Sequence, residues 1–262
     1  MNDIPVVILC GGLGTRLREE TEFKPKPMVE IGNRPILWHI MKIYSHYGFK
    51  RFVLCLGYKG EKIKEYFYNY NILNYDFTIE LGSKGPLRIH NRDADEKGWK
   101  ITLADTGRDN LKGSRIKQIE KFINTSTFML TYGDGVANIN LRELLKFHKS
   151  HGKIGTVTGV FPPSRFGEIQ VKSQRVLKFE EKPQISKGLI NGGFFVFNRD
   201  FFDYLNEDPQ CDFEFGPLQK LSQDGELMVY FHRGYWECMD TYRDMEHLNK
   251  LWRNNQAFWK IW

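Results

Sequence analysis

The chain has 262 residues, enough for one large α/β domain or two small ones, and its 41% hydrophobic and 27% charged content is that of an ordinary globular protein. It has no apolar run long enough to span a bilayer and no charged-then-apolar leader at its start, so we expect a cytoplasmic protein with no membrane partner. A net charge of +6 without a long Lys/Arg block suits small polyanions and argues against nucleic acid.

The first element is the apolar run Val6-Val7-Ile8-Leu9, read as a strand buried on both faces. It runs into Cys10-Gly11-Gly12-Leu13-Gly14-Thr15-Arg16, where the glycines let the backbone turn tightly and approach a ligand. Backbone N–H groups in such a turn form a nest for phosphate oxygens, and the Arg16 guanidinium can grip two of them. Lys26 sits between Pro25 and Pro27, which stiffen the segment that carries its ammonium. A P-loop would need Lys-Ser or Lys-Thr after the glycines, and a dinucleotide fingerprint would need glycine at Leu17. Glycine turn, arginine and strapped lysine together describe a triphosphate site.

A helix is expected after Asn33-Arg34-Pro35, with Ile36, Leu37, Ile40, Met41, Tyr44 and Tyr47 at helical spacing and Gly48 past its end. Phe52 to Leu56 reads as a second buried strand and Glu61 to Tyr70 as a helix. The aromatic tract Tyr66, Phe67, Tyr68, Tyr70, Tyr75 and Phe77 reads as core or subunit contact. Further strands are expected over Phe77–Leu81, Trp99–Leu103 and Thr127–Tyr132. Between the last two, a basic loop from Asp105 to Arg115 leads into a helix with Ile116, Ile119 and Ile123 on one face. Asn140 is a good cap for a helix over Leu141–His151. After Ile154 to Val160, three short strands (Glu168–Lys172, Val176–Glu181, Leu189–Phe197) read as a smaller antiparallel region. Helices over Phe213–Gln223 and Thr241–Arg253 close the chain.

Repeated strand-then-helix units predict an α/β fold with a doubly wound, mostly parallel sheet and a smaller antiparallel subregion. We expect one domain over residues 1–262, with a phosphate-binding part over about 1–153 and a second part over about 154–262. Cys10, Cys55, Cys211 and Cys238 form no CxxC pair, and Cys10 and Cys55 fall in apolar strands, which fits free thiols in a reduced compartment.

Ligands of open α/β sheets bind beyond the carboxyl ends of the strands, where Cys10, Asp134 and the Leu189–Phe197 strand can converge. Asp134, between Gly133 and Gly135 at a strand end, has the exposure a metal-binding carboxylate needs, although a turn aspartate looks the same. Asp240 is a second possible ligand and alternatively an N-cap just before Tyr242. Two carboxylates plus substrate phosphates suit Mg²⁺ rather than zinc. Glu181-Lys182 and Asn191-Gly192 could meet a sugar phosphate; Glu181-Lys182 also reads as a solvated hairpin edge.

GGLGTRL followed by KPKPM resembles the signature of the sugar-1-phosphate nucleotidyltransferases. The segments LGYKGEKIKEYF, YGDG, EEKP, INGGFF and YWECMDTYRD extend the similarity over essentially the whole chain, closest to the cytidylyltransferase branch. The resemblance implies a Rossmann-like nucleotidyltransferase fold and transfer of a cytidylyl group from CTP to α-D-glucose 1-phosphate. It places Arg16, Lys26 and Asp134 in catalysis and puts Leu9 to Arg16, Lys26, Asn110, Arg115 and Gly133 on the nucleotide. Mg²⁺ would lie between Asp134 and Asp240, and the sugar phosphate on Glu181, Lys182, Asn191 and Gly192. It further implies a homo-oligomer, a hexamer, in which Arg115 reaches the triphosphate of a neighbouring protomer.

The thymidylyl base-contact stretch QxxPxGLA is absent, and DTGRDNLKGSR resembles the cytidylyl DTG…GGR loop with Ser114 for its second glycine. Cys211-Asp212-Phe213-Glu214-Phe215 departs from the Trp-Glu-Gln-Glu of that branch. The alternatives are the same chemistry with another phosphorylated acceptor or pyrimidine nucleotide, and a non-catalytic nucleotide-sugar-binding subunit. Retention of Arg16, Lys26, Asp134 and Asp240 argues against the last.

Overall fold

The computed structural model describes residues 3–82, 87–90, 96–162, 168–172, 174–180 and 188–262. Val6–Cys10 (β1) is buried throughout, and its side chains alternate between two apolar layers: Val6, Ile8 and Cys10 enter one, Val7 and Leu9 the other. A strand of this kind needs cover on both faces, which is the condition for a central parallel strand. Arg51–Leu56 (β2) divides the same way, Phe52, Leu54 and Leu56 against Val53 and Cys55.

Lys100–Asp105 (β3), Thr127–Tyr132 (β4), Gly155–Val160 (β5), Ile190–Asn198 (β6) and Leu227–His232 (β7) complete one seven-stranded sheet. Its order is β7-β5-β6-β4-β1-β2-β3, and only β6 runs antiparallel to its neighbours. Ile36–His46 (α1) and Gly60–Tyr68 (α2) cover one face, while Lys112–Gln118 (α3) covers the other through Ile116, followed by Ile119 and Ile123. Leu141–His151 (α4) and Tyr242–Arg253 (α5) join the first layer through Leu141, Leu144, Leu145 and Leu248. The chain winds outward from β1 to β2 and β3, then returns to β4 on the other side of β1. Strand order reverses there, and the crevice at the strand ends is where such sheets take ligands.

The doubly wound α/β reading therefore holds, and so do several local ones. Asn140 accepts from the N–H groups of Arg142 and Glu143, both at 3.1 Å. Gly48 ends α1 at φ 90°, a conformation that favours glycine.

Four expectations need correction. Leu189–Phe197 is not part of a small antiparallel region: as Ile190–Asn198 it inserts into the main sheet between β4 and β5, leaving a two-stranded hairpin of Glu168–Lys172 and Arg175–Glu180. Leu227–His232, read as no element, is a parallel edge strand on β5. The expected strand Phe77–Leu81 is only Phe77–Thr78, paired with Arg88–Ile89 outside the main sheet. The expected helix Phe213–Gln223 breaks at Phe215 and Gly216, because Gly216 at φ 151° and Pro217 cannot continue an α-helix.

The C-terminal tail seals the α1 layer. Trp259 is fully buried and its Nε1 donates to Nδ1 of the equally buried His39 at 3.4 Å, so the His39 ring proton sits on Nε2 and donates to the Ile31 carbonyl at 2.9 Å. Burial pulls the His39 pKa from 6.5 down to about 4. The folded pKa lies below the unfolded one, so this contribution is present above pH 6.5 and is lost as pH falls towards 4. Urea unfolding at stepped pH should show about 3 kcal/mol of stability lost across that window from His39, and His39→Gln should flatten that part of the profile.

Candidate active site

Three chain segments meet at the strand ends. β1 delivers the glycine turn, in which Gly14 takes φ 65°. Pro25 is extended, and Lys26–Met28 forms a single 3₁₀ turn closed by Met28 N–H to the Pro25 carbonyl at 2.8 Å. β4 ends in Gly133-Asp134, where a Cβ on Gly133 would lie 2.8 Å from the Leu9 carbonyl and 2.9 Å from the Pro27 ring. Glycine there lets the β1 end, the lysine strap and the aspartate turn close on one another.

Asp240 arrives by a different route. Gly135–Ala137 pairs antiparallel with Trp236–Cys238, and Met239 N–H donates to the Asp134 carbonyl at 2.9 Å. The ladder sets Asp240 beside Asp134. Thr241, not Asp240, caps α5: Asp244 N–H donates to Thr241 Oγ1 at 3.3 Å, and Thr241 N–H donates back to Asp244 Oδ2 at 2.9 Å. The capping alternative for Asp240 is thereby set aside, and its carboxylate faces the cations.

Lys26 Nζ donates to Asp134 Oδ2 and to Asp240 Oδ1, both at 2.6 Å, and Arg16 Nη1 donates to Asp240 Oδ2 at 2.7 Å. Burial works against the Lys26 charge, but the two carboxylates outweigh it and hold its pKa above the ordinary lysine value. Burial pushes the Cys10 thiol up and that of Cys238 to about 12, so neither is a thiolate nucleophile at neutral pH.

Leu9 to Arg16, Lys26, Asn110, Arg115, Gly133, Asp134 and Asp240 all line one cleft of about 570 Å³. Every residue expected on the nucleotide or metal is in that set. Of the acceptor residues, Glu181 and Lys182 lie outside the described residues. Asn191 stands beside the cleft, where its Nδ2 donates to the Tyr132 hydroxyl at 3.1 Å. The Gly192 carbonyl accepts from Trp236 Nε1 at 2.7 Å. None of the aromatic rings from Tyr66 to Phe77 lines the cleft; Tyr66, Phe67, Tyr70 and Tyr75 pack on one another.

Arg115 departs from expectation. It is buried within its own chain, donating to the carbonyls of Leu56, Gly107, Gly11 and Arg108 at 2.7–3.1 Å and to Thr106 Oγ1 at 3.2 Å. A Cβ on Gly11 or Gly57 would lie 2.2 Å from its Nη1. Gly11 thus makes room for the Arg115 guanidinium, which within its own chain fastens the glycine turn.

Sequence reasoning gives no site role to Tyr132 or Glu214, and reads Lys112 and Arg108 only as charge on the basic loop. Tyr132, Lys112 and Arg108 line the cleft, and Tyr132 donates to Glu214 Oε1 at 2.8 Å. Tyr132 was read only as the last residue of a strand. The signal available was its position immediately before Gly133-Asp134, where a side chain has to face the ligand edge.

Residues 5–256 match the family model described as nucleotidyl transferase, and the chain belongs to that family. It is 47% identical over 257 residues to the glucose-1-phosphate cytidylyltransferase of Salmonella typhimurium strain LT2, covering 98% of both chains. It is 48% identical over 256 residues to the probable glucose-1-phosphate cytidylyltransferase of Bacillus subtilis strain 168, covering 98% of this chain and 99% of that one. The crystal structure of HddC from Yersinia pseudotuberculosis superposes with a TM-score of 0.67 at 23% identity, over 95% of this chain and 99% of that one, which bears on the fold.

Enzymes of this family generally use a divalent metal. Among the described residues no three His, Cys, Asp or Glu side chains are grouped to hold one. The residues present still fit such an ion: two hard carboxylate oxygens already share a cation, the Lys26 ammonium, and substrate phosphates can supply further ligands. Two carboxylates against Lys26 and Arg16 leave the cluster locally neutral, so a triphosphate entering it calls for added positive charge.

Lys26→Met should lower turnover by roughly 10²-fold, and Asp134→Asn and Asp240→Asn should each weaken metal-dependent nucleotide binding in calorimetry, with EDTA abolishing turnover. Arg115→Ala should cost about 2–4 kcal/mol in urea unfolding, because it strips a buried donor set from several carbonyls, and should raise KM for the nucleotide. Unchanged stability with lost activity would return Arg115 to a role between subunits.

Proposed function

We propose that the protein transfers the cytidylyl group of CTP to α-D-glucose 1-phosphate, giving CDP-glucose and pyrophosphate. The observation that carries this reading is the Lys26 ammonium held between Asp134 and Asp240 in a cleft walled by the glycine turn. The near-half identity over almost the whole length of chains named for that activity supports it.

The nucleophile is a phosphate oxygen of the sugar phosphate, already an anion, so the reaction needs no general base. One bond forms from that oxygen to the α-phosphorus. The opposite Pα–O bond breaks, and its electron pair leaves with pyrophosphate. Catalysis is positioning plus charge neutralisation. Within the cluster Lys26 and Arg16 are engaged by the two carboxylates. With substrates bound, Lys26 neutralises the α-phosphate and the incoming oxygen, and Arg16 holds the departing pyrophosphate. Mg²⁺ between Asp134 and Asp240 would neutralise triphosphate charge and hold its shape. Backbone N–H groups of the glycine turn, Asn110 and Gly133 bind the nucleotide. Glu181, Lys182, Asn191 and Gly192 take the sugar phosphate, which divides the chain at about residue 153 into a nucleotide part and an acceptor part.

Tyr68, Leu73, Ile79 and Leu81 are exposed apolar side chains within one stretch, which supports assembly with further copies of the chain. Among the described residues no helix is long and apolar enough to cross a membrane.

The test is pyrophosphate release over a grid of nucleotides and sugar 1-phosphates, with light scattering on the same sample to give the oligomer. CTP with glucose 1-phosphate should give the highest kcat/KM. Equal turnover of CTP and dTTP at low concentration would defeat the choice of base while leaving the reaction type in place.

A further inference from the structure

We infer that Glu214 is a positioning residue for the acceptor side of the cleft, acting through Tyr132 on Asn191; this deepens, and rests on, the cytidylyl-transfer reading above. Glu214 is delivered by the break in the segment 213–218. Asp212 Oδ1 accepts from the N–H of Glu214 at 2.9 Å and of Phe215 at 3.4 Å, and the non-helical Phe215 and Gly216 follow. Its Oε1 accepts from the Tyr132 hydroxyl at 2.8 Å and from Lys112 Nζ. Its Oε2 is buried and, among the described residues, has no hydrogen-bond partner. A buried carboxylate oxygen without a protein partner costs stability, so its place here calls for a physical reason.

The polarity of the resulting chain follows from chemistry. A carboxylate only accepts, so the Tyr132 O–H must donate to Glu214, and the Tyr132 oxygen is left to accept from Asn191 Nδ2 at 3.1 Å. The other end of the Asn191 amide, Oδ1, accepts from Gly193 N–H at 2.9 Å. With both ends committed, the amide cannot flip, and its second N–H is presented in one orientation only.

The packing enforces the same arrangement. Gly193 at φ 79° leaves space for the Tyr132 ring, which a Cβ there would meet at 2.5 Å, and the Lys112 ammonium lies 5.6 Å from the ring centre on its face. Hydrogen bonds therefore connect Lys112, at the start of α3 on the nucleotide side, through Glu214 and Tyr132 to Asn191 on the acceptor side. The Glu214 charge sets their direction, and a sugar phosphate whose hydroxyls suit the opposite amide orientation is disfavoured.

The test uses Tyr132→Phe, Glu214→Gln and the double variant of the full chain. Calorimetry with CDP-glucose and with CTP separates the two sides of the cleft independently of turnover. Each single variant should bind CDP-glucose about tenfold more weakly and CTP within about twofold of the parent, with a nearly unchanged melting temperature. Because both substitutions cut one chain, the double variant should be no weaker than the worse single one. In the steady state, KM for glucose 1-phosphate should rise, KM for CTP should hold, and galactose 1-phosphate should gain relative to glucose 1-phosphate. Unchanged CDP-glucose binding, equal weakening of both ligands, or additive losses in the double variant would each overturn the inference. A parent that binds CDP-glucose yet releases no pyrophosphate from CTP and glucose 1-phosphate would defeat the proposed reaction, and calorimetry would still decide the role of Glu214.

Discussion

The site depends on one ammonium shared by two carboxylates. Lys26, Asp134 and Asp240 come from the strap after the glycine turn, the end of β4 and the lead-in to α5, and they meet at 2.6 Å contacts. Two like charges brought this close would repel, so neither aspartate position is tolerable without a cation between them. The same requirement makes the cluster suited to polyphosphate chemistry. Its two cations, Lys26 and Arg16, are held in place by the carboxylates at the lining of the cleft.

What brings the three together is backbone. The short ladder between Gly135–Ala137 and Trp236–Cys238 fixes the tail against the β4 end, and the capping box of Thr241 and Asp244 satisfies the first turn of α5 without using Asp240. On the opposite wall Arg115 does a comparable job for the glycine turn. Its fork collects carbonyls from the end of β2, from two residues of the basic loop and from Gly11, and occupies the space that Gly11 and Gly57 leave open.

Reversal of one strand supplies the acceptor side. Because β6 runs against β4, its first residues lie at the carboxyl ends of the neighbouring strands, so Asn191 stands at the same mouth as Tyr132 and Asp134. Had β6 run parallel, Asn191 would sit at the far edge of the sheet. The antiparallel strand is therefore the feature that brings Asn191 to the edge of the cleft that Tyr132 and Asp134 line.

Local chemistry determined a good part of this from sequence alone. The buried runs at Val6–Leu9 and Phe52–Leu56, the Asn140 cap, the Gly48 stop and the clustering of glycine, Arg16 and Lys26 depend on residues close in the chain, where spacing and side-chain type suffice. Other features depend on partners far away, and only the tertiary structure decided them. Ile190–Asn198 and Leu227–His232 are short apolar stretches whose sheet and direction are set by the strands they join, not by their own composition. Asp240 has the same neighbours in sequence whether it caps a helix or faces a cation, and the ladder that chooses between these is formed with residues about a hundred positions away. Nothing near Arg115 in sequence shows that Gly11 and Gly57 leave the space its guanidinium fills. Glu214 could not be found from its own segment, because its role lies in the direction of a hydrogen bond from Tyr132 across the fold.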